Sequence, residues 1–157
     1  DKVSIVGAEL ELSANPFDVL TVYTNVGLAK TEIEEFTIFP DLIGNNTPRS
    51  ADWSLTAGFD YTQDIASNLD IFLRGDIQYM SERYWFHDNL DVQDPRSFGN
   101  LSAGIENENW SLSFWAKNIY NTKAYDTYFP LQATGLPYDV AFPTRPRTYG
   151  VRITVRN

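Results

Sequence analysis

The residues best suited to chemistry lie close together, in the stretch from Trp85 to Asp94. His87 is the only histidine in the chain, and imidazole is both a common metal ligand and a group that titrates near neutral pH. Three carboxylates follow it in the sequence and could offer oxygen ligands to Ca²⁺: Asp88, Asp91 and Asp94. Their spacing does not match an EF-hand loop, and the stretch lacks the central glycine. We therefore predict a solvated loop histidine and no metal site.

No other pattern in the chain predicts catalysis. A serine–histidine–aspartate site would have to use His87, and no nucleophile-elbow pattern lies near it. The chain has no phosphate loop, dinucleotide fingerprint or zinc motif, and it contains no cysteine. We predict that the protein is not an enzyme, has no catalytic residues and needs no cofactor. The net charge of −9 also argues against nucleic-acid binding, which requires a basic face.

Seven stretches of the chain alternate apolar and polar residues with the period of two that separates the faces of a β-sheet. The third stretch is the clearest example, with Trp53, Leu55, Ala57, Phe59 and Tyr61 opposite Ser54, Thr56, Gly58, Asp60 and Thr62. Most stretches reach the length of about 9–11 residues that a tilted strand needs to cross a bilayer. The pattern predicts an all-β fold, an antiparallel transmembrane β-barrel segment of about seven strands.

The links between these stretches alternate in length. Short links are expected at residues 15–18, 63–68 and 107–109, and long ones at about 36–48, 85–95 and 119–146. Outer-membrane barrels have short periplasmic turns and long external loops. An odd number of strands leaves two unpaired edges, so we expect further strands to complete the barrel. The alternative is a soluble β-sandwich in which the aromatic residues form a closed core.

The long links are rich in aromatic residues that could bind a ligand at the external mouth. The alternative is that these rings pack the loops against one another. The candidates are Trp85, Phe86, His87, Tyr125, Tyr128, Phe129, Tyr138 and Phe142.

Two segments near the end of the chain carry a resemblance to a known family. Residues 110–121, followed by Tyr125, resemble a "W-x-hydrophobic … K-N-L-F-D … Y" motif, and residues 146–155 resemble a closing "P-R-x-Y-G-hydrophobic" strand. Residues 6–11 and 44–48 resemble two further motifs of the same family. The chain thus resembles the C-terminal part of the β-barrel of TonB-dependent outer-membrane receptors. The matching motif residues, expected to be structural, are Lys117, Asn118, Tyr125, Pro146, Arg147, Tyr149 and Gly150.

The resemblance implies that residues 1–157 are the final strands of a 22-stranded barrel in the outer membrane of a Gram-negative bacterium. The family's plug domain and TonB-engaging segment are not in this sequence. Expected partners are therefore the plug and the remaining strands, from the same or a separate chain, TonB–ExbB–ExbD acting through the plug, and outer-membrane lipid. The implied function is TonB-dependent uptake of a large scarce nutrient. An iron–siderophore complex is the commonest such ligand, with cobalamin or a glycan as rivals.

The resemblance also suggests roles for individual residues. Gly150 would permit the close approach of another backbone, and Arg147 would hold a loop or lumen carboxylate. Charged side chains on the polar face would hydrogen-bond to the plug, and some could line the substrate path. These are Glu9, Glu11, Asp70, Arg74, Asp76, Lys117, Arg152 and Arg156. The alternative function is a soluble or surface-exposed β-sheet module for binding or adhesion, without transport.

Overall fold

A computed structural model of the chain describes residues 1–131, 135 and 137–156. The described residues form eleven strands and one 3-10 turn at Pro40–Leu42. The strands are β1 (Lys2–Phe17), β2 (Leu20–Glu35), β3 (Trp53–Ala66), β4 (Leu69–Met80), β5 (Arg83–Tyr84), β6 (Val92–Gln93), β7 (Arg96–Glu106), β8 (Trp110–Lys117), β9 (Tyr125–Phe129), β10 (Val140–Pro143) and β11 (Thr148–Val155). Among these residues no helix is long and apolar enough to cross a membrane.

Seven of the strands form one antiparallel sheet in the order β1-β2-β3-β4-β7-β8-β11. These are the seven strands that the alternation predicts. Every neighbouring pair in the sheet is also the next pair along the chain, once the short strands are set aside. The sheet is therefore a simple meander, and β1 and β11 lie at its two open edges.

The register of the sheet places apolar residues opposite apolar residues. One cross-strand row runs through Leu20, Tyr61, Leu73, Ala103, Phe114 and Val151. The next row, through Thr21, Asp60, Arg74 and Ser102, is polar. Because side chains alternate along each strand, the two rows lie on opposite sides, which we call the apolar face and the polar face.

The sheet is a single layer, so the soluble-sandwich interpretation is wrong. A sandwich would cover one face of this sheet with a second sheet, and the other two sheets contain only two short strands each. The accessible surface is 10700 Å², against about 8,000 Å² expected for a compact monomer of this mass. Large side chains on the apolar face remain open, with Phe114 62% and Ile153 73% exposed.

The three short links lie at one end of the sheet, but two differ from the predicted boundaries. β1 continues through Phe17, and the turn is only residues 18–19. The register shifts between Ala14 and Phe17, and this bulge accommodates Pro16, which has no N–H to donate to the ladder. β3 likewise continues to Ala66. The predicted turn at 107–109 is confirmed, and the side chain of Asn107 accepts hydrogen bonds from the N–H groups of Asn109 and Trp110.

The three long links lie at the opposite end and contain the four short strands. β5 pairs with β6 between β4 and β7, and β9 pairs with β10 between β8 and β11. Neither hairpin is expected from the apolar–polar alternation of the sequence. The last link includes the residues 132–134 and 136 that lie outside the described part of the chain.

The ring of Trp115 requires a glycine at position 150. This corrects the expectation that Gly150 permits the close approach of another backbone. Gly150 of β11 pairs directly with Trp115 of β8. A Cβ atom on Gly150 would lie 2.6 Å from Cζ2 and 2.9 Å from Cε2 of the indole. The ring of Trp115 therefore lies over the glycine on the polar face. Phe72 covers Gly104 of the adjacent strand in a similar way, with Cζ 2.8 Å from the corresponding position.

We predict that Gly150→Ala destabilises the folded protein by about 1–3 kcal/mol, because the added methyl group overpacks the indole. The free energy of unfolding from a urea titration measures this. In a Trp115→Ala background the same substitution should cost less than half as much. Gly27→Ala is the matched control, since only the small hydroxyl of Ser54 lies nearby, at 3.0 Å. Equal costs in both backgrounds would contradict the contact.

Candidate ligand-binding loops

Hydrogen bonds tie the first two long connections together. The N–H of Asn46 donates to Oδ1 of Asn89 at 2.8 Å, and Nδ2 of Asn89 returns a bond to the carbonyl of Asn46 at 3.0 Å. Nδ2 of Asn45 donates to the carbonyl of His87 at 2.9 Å. This pairing joins the connection before β3 to the tip of the β5–β6 hairpin.

The third long connection is tied to the same hairpin through Tyr125. The N–H of Tyr125 donates to Oε1 of Gln93 at 3.1 Å, and its carbonyl accepts a bond from the guanidinium of Arg96 at 3.1 Å. Gln93 is buried, so the junction is enclosed. All three long connections therefore form one continuous loop layer above the sheet.

Asn118 holds the base of the third connection. It has a positive φ of 51°, which asparagine tolerates better than most residues, and it is 6% exposed. Its Nδ2 donates to the carbonyls of Thr122 and Arg145, each at 3.0 Å, while its Oδ1 accepts the N–H of Thr122 at 2.9 Å. The lysine–asparagine motif thus places, just after β8, a side chain that hydrogen-bonds to the backbone near both ends of the third connection.

Arg147 contacts backbone oxygen rather than the expected carboxylate. Its Nη1 donates to the carbonyl of Ile119 at 3.4 Å, and its N–H donates to Oδ1 of Asn121 at 3.1 Å. These bonds close the same loop base just before β11 begins. Arg147 therefore acts with Asn118 to fix the two ends of the third connection.

The predicted aromatic ligand residues fall into two groups. The first group surrounds His87, whose ring centroid lies 5.7 Å from Phe86, 5.7 Å from Phe36 and 6.1 Å from Phe39. Sequence reasoning missed Phe36 and Phe39 because they precede the histidine by about fifty residues. Phe39 is 51% exposed, so this group presents aromatic surface to solvent.

The second group is centred on Trp85, which is only 3% exposed. Its ring lies 5.9 Å from that of Tyr128, and Tyr128 lies 6.2 Å from Tyr125. The guanidinium of Arg83 covers the indole at 4.8 Å. Trp85 therefore packs the loops together, as in the alternative considered for these rings.

The remaining candidates lie on the β9–β10 hairpin and its connection. Phe129 ends β9, with the guanidinium of Arg49 5.8 Å from its ring centroid. Phe142 lies in β10 and is 55% exposed, and Tyr138 is 60% exposed in the connection. Ligand contact by these accessible rings stays a prediction.

The three aspartates of residues 85–94 do not converge on a metal site. Asp88 caps the loop by accepting the N–H of Leu90 at 3.2 Å, whereas Asp91 approaches the hydroxyl of Tyr128 at 3.4 Å. Within the described ranges, no group of three histidine, cysteine or acidic residues could hold a metal ion.

A hydrogen bond between the side chains of Tyr128 and Asp139 stabilises the β9–β10 hairpin. The tyrosine hydroxyl donates to Oδ2 of Asp139 at 2.7 Å, and the N–H of Leu131 donates to Oδ1 at 2.7 Å. These two bonds hold the pKa of Asp139 below its ordinary value, the tyrosine contributing most. The same contact with Asp139 raises the pKa of Tyr128.

The polar face below the loops carries a charge network. Arg74 contacts Asp60 at 2.9 Å and Glu106 at 3.5 Å, and Glu106 also contacts Arg156 at 3.4 Å. Asp76, which the sequence also predicts on the polar face, accepts a hydrogen bond from Asn100 at 2.8 Å. The pairs are partly exposed, so each contributes little to stability. The polar face therefore presents charges of both signs.

A family model for the "TonB dependent receptor-like, beta-barrel" domain matches residues 1–119 of this chain. The chain belongs to this TonB-dependent receptor family. The family consists of outer-membrane receptors of Gram-negative bacteria rather than of enzymes. The matched residues include the first of the two C-terminal motifs up to Ile119, while the closing strand lies beyond them.

Solved receptor structures share the fold. The ferric yersiniabactin uptake receptor FyuA from Yersinia pestis superimposes with a TM-score of 0.84 at 16% identity, over 98% of this chain and 23% of that one. The siderophore receptor PiuA from Acinetobacter baumannii gives a TM-score of 0.76 at 16% identity, over 96% of this chain and 21% of that one. The ferric preacinetobactin receptor BauA from the same species gives 0.74 at 16% identity, over 95% and 21%. The chain therefore spans less than a quarter of the length of each of these receptors.

We predict that Asn118→Ala destabilises the TonB-dependent receptor barrel by at least about 2 kcal/mol. The substitution leaves two carbonyls and one N–H of the loop base unpaired and puts a Cβ-bearing residue without a local hydrogen bond at positive φ. Asn118→Gly loses the same bonds without the backbone penalty, so it should cost about 1 kcal/mol less. Urea unfolding in lipid vesicles measures both. A cost of Asn118→Ala no larger than that of Asn118→Gly would contradict the backbone argument.

The Tyr128–Asp139 contact predicts how the β9–β10 hairpin responds to pH. Because the pKa of Asp139 is lowered in the folded state, its stabilising effect is present above the unfolded pKa of about 4 and is lost as pH falls through the folded value. In Tyr128→Phe the loss should begin at higher pH. Amide hydrogen exchange of residues 125–143, corrected for intrinsic rates, measures the midpoint. The control is Glu108→Gln, at the opposite end of the sheet, which should leave the pH midpoint unchanged. An unshifted midpoint in Tyr128→Phe would refute the stabilising role of the Tyr128–Asp139 hydrogen bond.

Proposed function

We propose that this chain forms the closing seven strands and three external loops of an outer-membrane receptor for TonB-dependent uptake of an iron–siderophore complex. The observation that carries the proposal is the asymmetry of the sheet. Tight turns lie at one end, and a cross-bonded layer of aromatic loops lies at the other. A receptor needs this arrangement because ligand arrives from only one side of the membrane.

The two open edges support a role within a larger barrel. An unpaired backbone group in lipid costs several kcal/mol, and both β1 and β11 present such groups along their outer sides. Further strands that pair with both edges would remove this cost. The apolar face would then contact outer-membrane lipid, and the polar face would contact the plug, through which TonB–ExbB–ExbD supplies energy.

The choice of an iron–siderophore complex rests on the structural relatives. FyuA, BauA and PiuA are described as receptors for ferric yersiniabactin, for ferric preacinetobactin and for a siderophore. The exposed rings of Phe39, Tyr125 and Phe142 provide apolar contact area at the mouth, which is suited to a large organic chelate.

Uptake of radioactive ferric chelates by cells that express the complete receptor tests this function. We expect accumulation of an iron–siderophore complex and none of cobalamin or an oligosaccharide. Replacing residues 125–143 by a short glycine–serine linker should weaken binding at least about tenfold, since it removes the Tyr125, Tyr128 and Phe142 surface.

The matched control for the loop replacement is Glu108→Gln in the turn 107–109, at the other end of the sheet, which should bind normally. Preferential uptake of cobalamin or of a glycan would show that the cargo is that compound and not an iron–siderophore complex. Normal ferric uptake by the loop-replaced receptor would remove the third connection from the binding mouth.

A further inference from the structure

The polar face changes character at the loop end of β1 and β2. The register places Val3 opposite Ile33 and Ile5 opposite Thr31. Because side chains alternate along a strand, Val3 and Ile5 share the face of Glu9 further along β1. Charged residues on this face therefore give way to apolar ones at the loop end. We call Val3, Ile5 and Ile33 the inner strip.

The opposite face of the same two strands changes in the reverse direction. It is apolar along most of β1, but its loop end carries Ser4 and an ion pair between Lys2 and Glu34. The carboxylate of Glu34 also interacts with the hydroxyl of Ser4. Charged groups are costly in contact with lipid hydrocarbon. This end of β1 and β2 therefore extends beyond the hydrocarbon layer, and the inner strip lies on the inside of the external wall.

The inner strip is covered on β2 and open on β1. Ile33 and its neighbour on the same face, Thr31, are only 5% and 4% exposed. The N–H of Thr47 donates to Oγ1 of Thr31 at 3.1 Å, so the first long connection lies over this part of β2. Val3 and Ile5 are 49% and 68% exposed. The cover over the apolar surface thus ends between two paired strands.

The open edge of β1 indicates which segment continues the cover. A strand that pairs antiparallel with this edge must connect to β1 at the Lys2 end, because the tight turn between β1 and β2 lies at the other end of the sheet. The tip of the first connection is beside that point, since the N–H of Thr37 donates to Oδ1 of Asp1 at 2.7 Å. The next residue, Ile38, is 72% exposed. A segment that arrives there meets apolar surface from both β1 and the first connection.

We propose that the external connection leading into β1 in the complete receptor lies over the inner strip, with apolar side chains packed against Val3, Ile5 and Ile38. This inference rests on the proposed completion of the barrel and is independent of the proposed cargo. It makes the inner wall at β1 a packed junction between two external connections. The surface that contacts ligand then lies on the remaining wall.

The reactivity of single cysteines tests the cover. This chain contains no cysteine, and any cysteines elsewhere in the complete receptor are replaced by serine. In the detergent-solubilised receptor, Ile5→Cys should react with a charged thiol reagent at least about tenfold more slowly than Ser4→Cys, because the cover must open before the reagent enters. Ser4→Cys is the matched control, since it is the adjacent residue on the opposite face. Val3→Cys should behave like Ile5→Cys.

Replacing the connection that leads into β1 by a glycine–serine linker should raise the rate of Ile5→Cys to that of Ser4→Cys. If that receptor does not assemble, serine substitutions at the apolar residues of the connection provide the same comparison. Fast reaction of Ile5→Cys in the intact receptor would overturn the proposal. Slow reaction that persists in the altered receptor would also overturn it, because the plug would then cover the strip. Protection that appears only with an added ferric siderophore would assign the strip to the cargo instead.

Amide hydrogen exchange along β1 separates this proposal from the completed barrel. Slow exchange of all β1 amides, combined with fast reaction of Ile5→Cys, would retain the completed barrel and refute only the cover. Fast exchange of the β1 amides that do not bond to β2 would show that the edge is unpaired in the receptor, which would refute both.

Discussion

The continuous backbone ladder from β1 to β11 is the constraint on which the other features depend. In a lipid environment each strand N–H and C=O must find a partner in a neighbouring strand. The meander provides these partners between its two edges, apart from register shifts near Lys2, Pro16 and Ile65. The same ladder fixes the register, because a slip of one residue would exchange the two faces of a strand. The row from Leu20 through Tyr61 to Val151 stays apolar for this reason.

The ladder also decides where the loops meet. An antiparallel meander brings alternate connections to the same end of the sheet, so residues that are far apart in sequence become neighbours. Asn46 reaches Asn89 in this way, and Gln93 reaches Tyr125. The loop layer is thus a consequence of topology, and its detailed shape depends on a few side chains that bond to backbone groups.

The sequence predicts the seven long strands and their faces because the signal is local and repeats many times within each strand. Trp115 and Phe72 are exceptions, since their apolar rings lie in rows that are otherwise polar. Each ring packs over a glycine of the adjacent strand, Gly150 and Gly104 respectively. The hairpins β5–β6 and β9–β10 were missed because two to five residues contain too few periods. The burial of Trp85 and the bond from Asn45 to His87 depend on contacts between distant segments, for which a single sequence carries no signal.

These two levels of organisation differ in stability. The sheet is held by long strands of backbone bonds, whereas the loop layer is held by two short ladders, scattered backbone bonds and individual side-chain contacts, each bond contributing about 1 kcal/mol. Parts of a protein with few such contacts open locally at low free-energy cost while the remainder stays folded. The β9–β10 hairpin, whose Tyr128 and Tyr125 contact neighbouring segments, should therefore open at a lower free-energy cost than the strands of the ladder.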